Sequence, residues 1–69
     1  MPQPMPIDTE KLVELRQNLR GGKQTNFATD VGISRSYLSE IESGKKVPST
    51  LVVEKMAKVL KVPVKSLLP

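Results

Sequence analysis

The sequence predicts an all-α fold, a compact bundle of five short helices. Three observations predict it. Apolar residues recur at helical spacing in Leu12, Leu15 and Leu19, and again in Val53, Met56, Ala57 and Leu60, so each set shares one helix face. Residues that cap helix N-termini through a side-chain oxygen, Asp8, Ser34 and Ser49, stand directly before such stretches. Gly21-Gly22, Gly32, Gly44 and Pro63 stand where those helices must stop.

Residues 1–6 carry proline at positions 2, 4 and 6, which rules out a helix there. They read as a flexible N-terminal arm with nothing to pack against, followed by one folded domain over residues 7–69. The arm has no Lys or Arg, so a disordered end is a better reading than a groove-reaching arm. Helix 1 starts after Asp8, with Ile7 and Leu12 placed as a hydrophobic staple, and ends at Gly21-Gly22. Helix 2 covers Gln24 to Val31. Gly32 opens a turn that needs positive φ, and Ser34 caps helix 3, which reaches about Ser43. Gly44 supplies a left-handed cap. Ser49 caps helix 4, which runs to about Leu60. Val62-Pro63 breaks the chain, and residues 64–68 form a last short turn or helix.

Composition narrows the function classes. Sixty-nine residues make one small domain that buries only about 60% of its unfolded surface. Without cysteine or histidine there are no disulfides, no thiolate nucleophile and none of the usual zinc ligands, which fits a reducing cytoplasm. The apolar runs are too short to span a membrane, and MPQPMP has neither the basic start nor the apolar core of a secretory signal. An enzyme is the weakest option, since there is no glycine-rich phosphate loop and the carboxylates are dispersed. Neither a cofactor, a metal nor a small-molecule ligand is expected. The net charge of +4 is uneven: Lys11 and Arg16 face Asp8, Glu10 and Glu14 in the first 19 residues, and the remaining Lys and Arg lie later. A basic face of this kind attracts phosphates, although a well-solvated surface has the same composition.

The stretch from Lys23 to Lys46 gives that charge a purpose. Two short helices joined by a glycine-containing turn, the second polar and followed by a basic loop, make the layout of a helix-turn-helix, whose second helix lies in the major groove. Phe27, Ala28, Val31, Ile33, Leu38 and Ile41 fall where two crossed helices meet, and Ala28 is small at their closest approach. Arg35, Ser36, Ser39 and Glu40 share the opposite face of helix 3. Gln24, Phe27-Ala28, Gly32-Ile33-Ser34, Tyr37-Leu38-Ser39, Ile41-Glu42, Gly44 and Pro48-Ser49 together closely resemble the lambda-repressor/Cro-like (xenobiotic-response-element type) family of bacterial and phage regulators, over residues 9 to 68.

The resemblance implies roles. Arg35, Ser36, Ser39 and Glu40 occupy the positions that reach base edges; Arg35 suits guanine O6 and N7, and Glu40 either accepts from a cytosine amine or repels wrong sites. Gln24, Lys23, Tyr37, Ser43, Lys45 and Lys46 are the phosphate-contacting candidates, with the main-chain amides of the lysine pair contributing. For Gln24 the alternative is a solvated first-turn residue, for Tyr37 a cover over apolar surface, and for the lysines plain solvated surface. Arg16 and Glu42 are expected to form a structural ion pair between helices 1 and 3. The chain also departs from the family pattern. The link from Leu15-Arg16 to Gln24 is one residue longer, Gly22 replaces a leucine, Lys23 replaces a Ser or Thr cap, and Lys61 replaces a terminating glycine. A looser first connection and a less sharply defined end of helix 4 are therefore expected.

The function implied is a cytoplasmic, sequence-specific regulator that binds double-stranded DNA. The main reading is a repressor, acting as a homodimer on a two-fold operator and joined through candidates Val62, Val64, Leu67 and Leu68. The alternatives are an antitoxin or adaptor of the same fold, or a restriction–modification controller that activates as well as represses. The polar reading face and the lysine pair favour DNA, and the chain has no spare length for an antitoxin's toxin-covering segment.

Overall fold

A computed structural model describes residues 3–69. The described chain forms four α-helices, α1 (Thr9–Gln17), α2 (Gln24–Val31), α3 (Arg35–Glu42) and α4 (Thr50–Leu60), and a closing 3₁₀ turn, Val64–Leu67. The fifth helix of the expected bundle is thus a single 3₁₀ turn. One core holds them together: Leu12 of α1, Phe27, Ala28 and Val31 of α2, Leu38 and Ile41 of α3, Val53, Met56, Ala57 and Leu60 of α4, and Leu67 of the 3₁₀ turn are all buried. Tyr37, Ile33, Leu15 and Leu19 pack half-buried at its edge.

The caps explain why the elements begin where they do. Asp8, Ser34 and Ser49 each accept a hydrogen bond from the backbone N–H three residues on, at Lys11, Tyr37 and Val52. Lys23 caps α2 without a side-chain bond. Gly32 and Gly44 take φ of 87° and 82°, conformations a Cβ would strain.

Two departures from the expected pattern turn out to be well determined. Helix α1 stops at Gln17, short of the glycines, and the connection that follows is pinned rather than loose. Leu19 N–H donates to Arg16 C=O, Gly22 N–H to Leu19 C=O, and Asn26 Nδ2 to Gly21 C=O. Gly22 is required because a Cβ there would sit 2.5 Å from Arg16 O and 2.8 Å from Gln17 O. Lys61 adopts a left-handed φ of 59° in place of glycine, and the N–H groups of Lys61 and Val62 close on Lys58 and Ala57 carbonyls. The end of α4 is therefore sharp.

The N-terminal arm also differs from expectation. Met1 and Pro2 lie outside the described residues, but Gln3–Met5 do have something to pack against. Pro4 pairs antiparallel with Ser49, Met5 N–H donates to Pro48 C=O at 2.8 Å, and Gln3 C=O accepts from Thr50 N–H at 2.7 Å. Met5 and Ile7 pack against the core. Farther along, Asp8 N–H donates to Leu67 C=O at 2.8 Å and ties the start of α1 to the closing turn.

Candidate nucleic-acid interface

Helix α3 is propped from behind. Leu38 and Ile41 have no exposed surface, while Arg35, Ser36 and Ser39 on the same helix are exposed and Glu40 is half-buried. An eight-residue helix with its apolar side locked into a core presents its other side in one orientation. That side carries a guanidinium, two hydroxyls and a carboxylate, the donors and acceptors that base edges require. Arg35, Ser36 and Ser39 stand uncovered there, while Lys46 reaches over the Glu40 end.

The brace behind α3 is an ion pair with two further partners. Arg16 donates through Nε to Glu42 Oε2 at 2.6 Å and through Nη2 to Glu42 Oε1 at 3.1 Å, a bidentate fork. Both side chains are less than a tenth exposed. Arg16 Nη1 donates to Gly22 C=O at 2.6 Å, so the glycine that crowds α1 also anchors the arginine. Gln24 Nε2 donates to Glu42 Oε1 at 2.8 Å. The expected Arg16–Glu42 pair is present. Gln24 is not simply a solvated first-turn residue, because its amide is oriented by the brace. That amide nitrogen has a second N–H, and Gln24 keeps some exposed surface at the start of α2.

The basic loop after α3 holds Lys45 and Lys46 with both side chains exposed. Their main-chain amides are not available as expected: Lys45 N–H and Lys46 N–H both donate to Glu40 C=O, at 2.9 and 3.2 Å. The carbonyls at the end of a helix attract such donors, and the loop doubles back to satisfy one of them. Lys46 Nζ lies 3.7 Å from Glu40 Oε1 and 5.9 Å from the centroid of the Tyr37 ring. Tyr37 is half-buried against the core, so its ring supports the loop. Ser43 Oγ donates to Glu40 C=O at 3.1 Å, and Lys23 is exposed ahead of α2.

The structure thus places Arg35, Ser36, Ser39 and Glu40 together on one helix, with Tyr37 on that helix at the core's edge and Ser43, Lys45 and Lys46 directly after it. Gln24 joins them through Glu42. Leu67 does not belong with the proposed dimer surface: it is fully buried in the chain's own core. Turn residues at the end of a small domain look alike in sequence whether they close the core or face a partner. Leu68 is exposed, and Val62 and Val64 are partly buried. Sequence reasoning missed the strap of residues 3–5, because three prolines signal only that a helix is excluded.

Comparison with known proteins agrees with the geometry. A family model described as helix-turn-helix matches residues 12–67, most of the chain. The chain belongs to the lambda-repressor/Cro-like helix-turn-helix family. Among curated proteins, it is 41% identical over 54 residues to the "ImmF control region 10 kDa protein" of Bacillus phage phi105. The match covers 74% of this chain and 60% of the phage protein. It is also 40% identical over 53 residues to YazB, an uncharacterized HTH-type transcriptional regulator of Bacillus subtilis (strain 168), covering 77% of each. No solved structure matches the chain significantly. Members of this helix-turn-helix family are DNA-binding transcriptional regulators, not enzymes. No helix among the described residues is long and apolar enough to cross a membrane.

Proposed function

We propose that this helix-turn-helix protein is a transcriptional repressor that binds a two-fold symmetric operator as a homodimer, with α3 of each copy in the major groove. The observation that carries the reading is the split character of α3: Leu38 and Ile41 are fully buried and Arg35, Ser36 and Ser39 stand free on the other side. Arg35 takes the O6 and N7 of a guanine. Ser36 and Ser39 contribute adaptable hydroxyls, and Glu40 accepts from a cytosine amine. Lys23, Gln24, Tyr37, Ser43, Lys45 and Lys46 hold the flanking phosphates, through side chains in the case of the two loop lysines. Occupying the operator blocks polymerase sterically. A domain of this size makes too few contacts for a sharp site, and two copies with half-sites about 34–36 Å apart supply the rest. Val62, Val64 and Leu68 are the dimer-surface residues in this reading. The relative whose name places it in a phage control region supports a regulatory role.

The test begins with duplexes selected from a random pool. Recovered sites should show two-fold symmetry with half-sites one helical turn apart. Replacing Arg35 with Ala should then weaken binding to the selected site by about 5- to 150-fold, the equivalent of about 1–3 kcal/mol, and random duplex much less. An equal loss on both would remove Arg35 from base reading.

A further inference from the structure

We propose that Gln3–Met5 form a strap that holds the loop after α3 in its DNA-contacting shape; this rests on the reading that Lys45 and Lys46 meet phosphates. The loop has no secondary structure of its own, and its two ends are held differently. At the α3 end, Lys45 and Lys46 N–H close on Glu40 C=O, and Gly44 N–H on Ile41 C=O at 3.1 Å. At the α4 end, the buried Pro48 C=O needs a donor, and Thr50 N–H, one of the orphan donors of a helix start, needs an acceptor. The strap meets both needs. Met5 N–H donates to Pro48 C=O at 2.8 Å, and Gln3 C=O accepts from Thr50 N–H at 2.7 Å and Thr50 Oγ1 at 2.8 Å.

The prolines have a role in this geometry. Pro4 and Pro6 fix their own φ and bias the preceding residues toward extended backbone, so the strap loses little entropy when it lies along Pro48–Thr50. They also leave Met5 as the strap's donor between them. Pro48 is fully buried, and residues Pro6 and Ile7 line one wall of a shallow cleft whose other wall is Gly44, Lys46, Val47 and Pro48. The residues that continue from the strap, Pro6 and Ile7, therefore border the lysine-bearing loop. A loop ordered before binding presents its charges to phosphates without the ordering cost a slack loop would incur on contact. Gln3 and Met5 act here as positioning residues and touch no DNA.

The test uses the full chain and the salt dependence of binding to random-sequence duplex. Met5→Pro removes the donor to Pro48, and Thr50→Val removes the hydroxyl donor to Gln3 with little change of shape. Met5→Leu and Thr50→Ser keep the donors and serve as controls. Both strap variants should keep helical circular dichroism, exchange the Thr50 amide faster, lose several-fold in affinity, and show a salt slope lower by about one, the value of one phosphate contact. The controls should match the unmodified protein. On a Lys45→Ala/Lys46→Ala background the strap variants should change affinity less than twofold, since no lysine remains to be placed. A folded strap variant with undiminished slope, while the double-lysine variant flattens it, overturns the strap. An affinity loss with unchanged slope overturns it as well. If the double-lysine variant leaves the slope intact, the phosphate reading beneath it fails instead. Should Met5→Pro not fold, the nearly isosteric Thr50→Val decides.

Discussion

Replacing Glu42 with Ala tests whether the brace behind α3 is as consequential as its geometry indicates. The substitution removes the acceptor of three hydrogen bonds: from Arg16 Nε at 2.6 Å, Arg16 Nη2 at 3.1 Å and Gln24 Nε2 at 2.8 Å. Arg16 keeps its bond to Gly22 C=O and its buried position on α1, which hold it in place. The result is a nearly buried guanidinium without a counter-charge, and breaking a buried pair from one side costs about 3–5 kcal/mol. A 69-residue domain at about 0.05–0.15 kcal/mol per residue has about 3–10 kcal/mol of stability in all. The variant should therefore lose from about a third to all of its stability, with a correspondingly lower urea midpoint. Replacing both partners with apolar residues of similar length, Arg16→Met with Glu42→Leu, removes the orphaned charge. It should recover most of the loss, since well-packed apolar substitutes for a buried pair are often neutral or better. Urea denaturation of Arg16→Met, Glu42→Leu and the double variant, read as a thermodynamic cycle with Glu42→Ala measured beside them, checks this. A Glu42→Ala loss below about 1 kcal/mol would falsify the account, because surface ion pairs already reach that value.

Three other outcomes are expected. Gly22→Ala forces a Cβ within 2.5 Å of Arg16 O and should destabilise by about 1–3 kcal/mol, measured by urea midpoint; an unchanged midpoint would show that the turn relaxes freely. Lys61→Gly removes a side chain from a left-handed residue at φ 59° and should raise stability by about 1 kcal/mol, seen as a higher thermal midpoint with unaltered DNA affinity. Ala28→Leu inserts bulk at a buried position of α2 and should cost about 1–3 kcal/mol together with DNA binding. A stable variant that binds normally would mean α2 and α3 do not depend on close approach there.

The amino-acid sequence by itself determined the elements and their order, because the signals are local. A capping oxygen acts on an N–H three residues away, and an apolar face repeats within a turn or two. That is why Asp8, Ser34 and Ser49 marked helix starts correctly, and why the helix from about Gln24 to Val31 was legible. The exposed character of Arg35, Ser36 and Ser39 followed from the same periodicity, since Leu38 and Ile41 had to face inward. Only the tertiary structure decided matters that depend on residues far apart in the chain. Leu67 closes the core instead of facing a partner, and the lysine amides of the basic loop turn back onto Glu40. Gly22 is required by a carbonyl six residues earlier, Gln24 is oriented by a carboxylate 18 residues later, and the proline-rich start lies along Pro48–Thr50. Such partners are brought together by packing, and no spacing along the chain encodes which of them will meet.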